Sequence, residues 1–78
     1  MREIEIRLHT VQDVLKFVAL ATSRSFPIRV GSSRHQVNGK SFIGMVSLDH
    51  SRPLLVQADG EGAAVASFRN VVQKFLAE

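Results

Sequence analysis

Apolar and polar residues alternate at the start of the chain, Ile4, Ile6 and Leu8 against Glu3, Glu5 and Arg7. That period of two belongs to a strand with one buried and one wet face, and it predicts a strand over residues 2 to 7. The period then changes. Val11, Val14, Leu15, Val18 and Ala21 or Thr22 recur every three or four positions, which places them on one side of a helix over residues 11 to 23. Thr10 is positioned to cap that helix, its hydroxyl accepting the amide near Asp13, whose carboxylate sits in the first turn where the helix dipole favours it. Thr-x-x-Asp is a relative of the capping box.

Alternation returns at Phe26, Ile28 and Val30, with Pro27 and Arg29 between them. Pro27 has no amide to donate, so it marks a strand start or an edge. Gly31-Ser32-Ser33 turns the chain into a short polar strand over residues 34 to 38, and Asn38-Gly39 ends it, so the two strands read as a hairpin. Ser41 caps a brief helix from Phe42 to Leu48, in which Gly44 costs about 1 kcal/mol relative to Ala. After a loop over Asp49 to Arg52, Pro53 opens a last strand with Leu54, Val56 and Ala58 on one face and Leu55 and Gln57 on the other. Asp59-Gly60-Glu61-Gly62 turns the chain into a final helix striped by Ala64, Val65, Phe68, Val71, Val72, Phe75 and Leu76, expected to be the longest. The order is βαββαβα. Residues 1 to 78 form one α+β domain, a two-layer open-faced sandwich in which helices cover one side of a four-stranded antiparallel sheet. Phe17, Phe68 and Phe75 belong to its core.

Composition narrows the chemistry. With no Cys there is no disulfide, thiolate metal site or cysteine nucleophile. A hydrophobic share of 45% against 22% charged is that of a folded domain, not a disordered chain. No apolar run reaches the length of a membrane span, and Met1-Arg2-Glu3-Ile4 leads into a strand where a signal peptide needs an apolar stretch, so a cytoplasmic setting and no membrane partner are expected. The net charge of +3 gathers mid-chain at Arg24, Arg29, Arg34, Lys40 and Arg52. Arg29, Arg34 and Lys40 are the residues a nucleic acid would meet, but no Tyr or Trp platform accompanies them, and solubility is the plainer reading. His9, His35 and His50 lack metal-ligand spacing; His50, beside Asp49, reads as part of a solvated turn. No metal, cofactor or small-molecule substrate is implied.

The run Val37-Asn38-Gly39-Lys40-Ser41-Phe42-Ile43-Gly44-Met45-Val46-Ser47-Leu48 resembles the segment around the short second helix of the histidine-containing phosphocarrier (HPr) proteins of the sugar phosphotransferase system. Leu54-Leu55-Val56 with Ala58, followed by Asp59-Gly60-Glu61-Gly62-Ala63-Ala64, resembles that family's last strand and the acidic turn before its final helix. The resemblance implies an antiparallel sheet in the order 1-4-2-3 with three helices on one face. It also implies a phosphoacceptor histidine at the start of the first helix, in a motif of the form Gly-x-His-Ala-Arg-Pro-Ala. There the helix amides and the Arg offset the phosphoryl charge.

This chain departs from that motif. The histidine present is His9, and the positions two and three beyond it hold Val11 and Gln12 where the family has Arg and Pro. Matching Phe17-Val18 to the family's Phe-Val puts the phosphoacceptor position on Thr10, and the connection before the helix is several residues shorter. The expectation is a divergent HPr-like regulatory or protein-binding module that does not transfer phosphoryl groups through His and is not itself an enzyme. An active carrier using a displaced His9 is the alternative. The resemblance further makes Ser41 a site of regulatory phosphorylation by a dedicated kinase, besides its capping role. It makes Phe42, Ile43, Met45 and Val46 a contact surface for protein partners, namely phosphotransferase components or that serine kinase.

Overall fold

The computed structural model describes residues 3 to 32 and 34 to 75. In chain order they form β1 (Glu3–Ile6), α1 (Val11–Thr22), β2 (Ile28–Gly31), β3 (Gln36–Asn38), α2 (Phe42–Val46), β4 (Leu54–Ala58) and α3 (Gly62–Val71), followed by a 3₁₀ turn over Gln73–Phe75. The strands make one antiparallel sheet in the order β1-β4-β2-β3, covered on one face by the helices. This is the expected open-faced α+β sandwich.

Alternation along the strands decides which face is buried. The register sets Ile4 beside Val56, Val56 beside Val30, and Val30 beside Val37, so a line of β-branched side chains crosses all four strands under the helices. Against it α1 packs Val14, Phe17 and Ala21, and α3 packs Val65 and Phe68. Phe17 meets Phe68 edge-on with ring centres 6.0 Å apart and Phe75 at 6.3 Å, while Phe26 meets Phe68 at 6.0 Å. Each such pair adds about 0.5–1.5 kcal/mol beyond area burial. In a chain without disulfides this aromatic cluster ties α1 to α3.

Several expectations shift. Val11 and Leu15, expected on the buried stripe of α1, are 61% and 45% exposed, while Phe17 faces inward, as expected of a core residue. Phe17 and Leu15 stand two positions apart, about 200° around the helix, so only one can face the sheet, and the larger ring takes the core. The final helix is not the longest: α3 has 10 residues and α1 has 12. After Val71 the chain tightens into the 3₁₀ turn, which brings Phe75 against Phe17 and lets its carbonyl accept the Arg7 N–H at 2.7 Å. Val71, expected on the buried stripe, is exposed. Leu76 and the first residue of the predicted opening strand, Arg2, lie outside the described residues.

The hairpin also tightens. β3 starts at Gln36 because the Ser32 hydroxyl accepts the amides of Arg34 and His35, both at 3.2 Å, folding those two residues into the turn. Gly31 sits at φ +156°, where a Cβ would run into the His35 carbonyl oxygen. α2 ends at Val46, with Ser47 as its C-cap. Gly44 has a use that offsets its poor helix propensity: a Cβ there would lie 3.3 Å from that of Val37, so its absence lets α2 lie close on β3.

Candidate functional site

The link from β1 to α1 occupies residues 7 to 10. Arg7 is fixed by its N–H to Phe75, and Leu8 is buried in the core, so His9 and Thr10 emerge directly at the helix start. Thr10 is extended (φ −136°, ψ 164°) and its Oγ1 accepts the Asp13 N–H at 3.1 Å, the expected cap. The Asp13 carboxylate turns back in return, and its Oδ2 accepts the N–H of His9 at 3.0 Å. One helix amide and the amide of His9 are thus spent internally. A carboxylate already occupies the positive end of the helix, where a phosphoryl group would need the same field.

Beside this start lies a pocket of about 210 Å³ lined by Leu8, His9, Thr10, Val11, Val14, Val46 and His50. His9 is exposed at its rim. His50 is not the solvated turn residue the sequence implied. It is half-buried, and its Nε2 lies 2.8 Å from the main-chain oxygen of Met45. A carbonyl only accepts, so Nε2 carries the hydrogen and donates it, and His50 serves as a side-chain cap on the C-terminal end of α2. No side-chain pattern in the sequence marks this bond, because its acceptor is a main-chain oxygen. Next to His50 the Asp49 carboxyl is held below its ordinary range, first by the Ser51 hydroxyl at 2.5 Å, then by the Ser51 N–H at 3.0 Å, against some desolvation, with Arg52 and His50 lowering it less.

At the start of α2, Ser41 Oγ accepts the Gly44 N–H at 3.2 Å, so the capping role assigned to it is present. Of the four apolar residues expected to face a partner, the structure separates one from the rest. Met45 is fully buried, whereas Phe42, Ile43 and Val46 are 37%, 81% and 46% exposed. Met45 points inward because a helix of this length resting on β3 needs one anchor in the core. The surface set is extended by two residues that sequence periodicity had assigned to the core: Val11 lines the same pocket as Val46, and Leu15 follows one turn beyond Val11. His35 lies in the β2–β3 turn, away from this pocket, and no group of three metal-ligating side chains exists among the described residues. No helix of the described residues is long and apolar enough to cross a membrane.

An open antiparallel sheet of this order with three helices on one face defines the HPr-like class of fold. Known structures agree. HPr-C-His from Thermoanaerobacter tengcongensis superimposes with a TM-score of 0.73 at 26% identity, over 95% of this chain and 93% of that one. The histidine-containing phosphocarrier protein of a Mycoplasma gives 0.69 at 17% identity, over 97% of both chains. The Bacillus subtilis catabolite repression protein Crh, solved as a domain-swapped dimer, gives 0.65 at 22% identity, over 96% of this chain and 90% of that one. No family model matches the sequence, and no curated protein matches it. The chain has an HPr-like fold in a sequence that has diverged far from these neighbours.

Proposed function

We propose that this protein is a cytoplasmic regulatory or protein-binding module related to the phosphoenolpyruvate-dependent sugar phosphotransferase system, and that it does not carry phosphoryl groups on histidine. The observation that supports this reading is the closed start of α1, where Asp13 accepts the His9 amide at 3.0 Å and Thr10 accepts that of Asp13 at 3.1 Å. A phosphoryl group on His9 brings about −1.5 to −2 charges to a helix start already holding a carboxylate. Thr10, at the aligned position, has a hydroxyl and no imidazole.

Partners dock, in this reading, through Phe42, Ile43 and Val46 with Val11 and Leu15 beside them, a set of exposed apolar side chains of the kind that marks an interaction site. Ser41 is the regulatory position, where a serine kinase of the phosphotransferase system adds a phosphate next to Lys40. The test is incubation of the protein with phosphoenolpyruvate and the first enzyme of that system. The expected result is no acid-labile phosphate on the chain; stable phosphorylation of His9 would reverse the reading in favour of an active carrier. In parallel, labelling of wild type by the family's kinase should exceed that of Ser41→Ala, and equal labelling removes the regulatory assignment.

A further inference from the structure

The charge along this chain is divided unevenly. Between Asp13 and Asp49 lie Lys16, Arg24, Arg29, Arg34 and Lys40 and no carboxylate at all. That stretch includes the whole β2–β3 hairpin, whose outer strand is an edge of the sheet. A groove of about 390 Å³ opens on it, lined among others by Ser25, Pro27, Arg29, Gln36, Asn38 and Lys40, and none of its lining residues is acidic. Asp59 donates its main-chain N–H to the Pro27 carbonyl at 3.0 Å and does not line the groove.

The hydrogen-bond phase of the hairpin says which edge groups face outward. Gly39 donates to Ile28 and Ser32 donates to His35, so the bonded pairs are Ile28 with Gly39, Val30 with Val37 and Ser32 with His35. In an antiparallel ladder the intervening residues turn their main-chain groups the other way. Gln36 and Asn38 therefore point their N–H groups off the sheet, together with the Gln36 carbonyl, while the Asn38 carbonyl accepts the Ser41 N–H at 3.0 Å. These groups match the spacing of an added strand. A second copy of this chain is a poor occupant: antiparallel self-pairing centred on Val37 sets Arg34 opposite Lys40, and like charges across strands repel.

We propose that the β3 edge is a docking surface for an extended, acidic segment of a partner protein, joined by main-chain bonds to Gln36 and Asn38 and held by Arg29 and Arg34, while Lys40, whose Nζ donates to the Arg24 main-chain oxygen at 2.6 Å, contributes its positive field. This inference is independent of the helical surface formed by α1 and α2. The absence of an aromatic platform in the groove favours a peptide over an RNA strand.

The test is a titration of isotope-labelled protein with a synthetic peptide of alternating valine and glutamate. Amide shifts and slowed hydrogen exchange are expected at Gln36 and Asn38, with affinity falling as salt rises. The Arg29→Glu/Arg34→Glu double variant should bind at least about tenfold more weakly, while Ile43→Ala binds as wild type does. If the double variant does not fold, Arg34→Glu alone, at an exposed turn position, serves the same purpose with a smaller expected loss. No binding, shifts centred on α1 and α2, equal binding of the peptide with lysine in place of glutamate, or tighter binding of a single-stranded RNA oligonucleotide at the same amides would each overturn the proposal.

Discussion

At the start of α1 the Thr10 hydroxyl accepts the amide three residues on at 3.1 Å, and at the start of α2 the Ser41 hydroxyl does the same at 3.2 Å. The caps match in geometry, but their surroundings differ in charge. Asp13 folds back over the first helix start and takes the His9 N–H, whereas α2 has no acidic residue in its first turn and Lys40 immediately precedes it. The same hydrogen bond thus sits in two electrostatic settings, one closed to a further anion and one open to it. In the proposed reading a phosphoryl group would meet the Asp13 carboxylate at the first and no carboxylate at the second.

The largest expected effect separates what anchors α2 from what it displays. Met45→Ala should cost about 2–5 kcal/mol in denaturant unfolding, because a fully buried side chain leaves a cavity. Ile43→Ala should change stability by less than about 0.5 kcal/mol. In the proposed reading its effect falls on partner binding instead. Equal costs for the two would mean that α2 does not lie on β3 as described.

The caps come next. Thr10→Ala and Ser41→Ala should each cost about 1 kcal/mol. Asp13→Ala removes the carboxylate that accepts the His9 N–H but keeps the main-chain N–H that Thr10 accepts; because both bonds close the same helix start, the Thr10→Ala/Asp13→Ala double variant should lose less than the sum of the single losses. Additive losses would break the picture of a closed helix start and reopen it to an anion. His50→Ala should cost about 0.5–1 kcal/mol, the value of one half-buried hydrogen bond to the end of α2. A loss no larger than that of an exposed residue such as Arg34→Ala would remove His50 from that role.

The strand pattern made the strands and their buried face legible, because Ile4, Val30 and Val56 alternate with polar neighbours and alternation has only one solution when a single face is buried, whereas the strand order followed from the resemblance to HPr proteins. The two caps were legible for a similar reason, since Thr and Ser before an apolar run have few other uses. Helix facing was less so. Val11 and Leu15 fit the same period as Val14 and Val18, and only the packing of Phe17 on Phe68 and Phe75 decides which arc is inward. Met45 among four apolar neighbours posed the same problem. His50 and Asp13 acquire their partners from main-chain groups, Met45 oxygen and His9 nitrogen, whose positions no side-chain pattern encodes.

The smallest effect concerns Asp49, which lies beside His50 and yet is fastened mainly by its own loop. Hydrogen bonds from the Ser51 hydroxyl and N–H hold its carboxyl below the ordinary value of 3.8, with Arg52 and His50 acting in the same direction. The folded protein then holds this proton less readily than the unfolded chain. The stabilisation is present at pH above the unfolded value and is lost as pH falls through the lower folded one. Asp49→Asn should therefore be slightly less stable than wild type near neutrality, with the difference vanishing in strong acid. In an NMR titration Ser51→Ala should raise the Asp49 midpoint towards 3.8 and leave the amide shifts of Thr10 and Ser41 in place. If Ser51→Ala leaves the midpoint where it was, the Ser51 hydroxyl does not fasten Asp49, and the Ser51 N–H, which the variant keeps, holds the carboxyl ahead of the charges of Arg52 and His50.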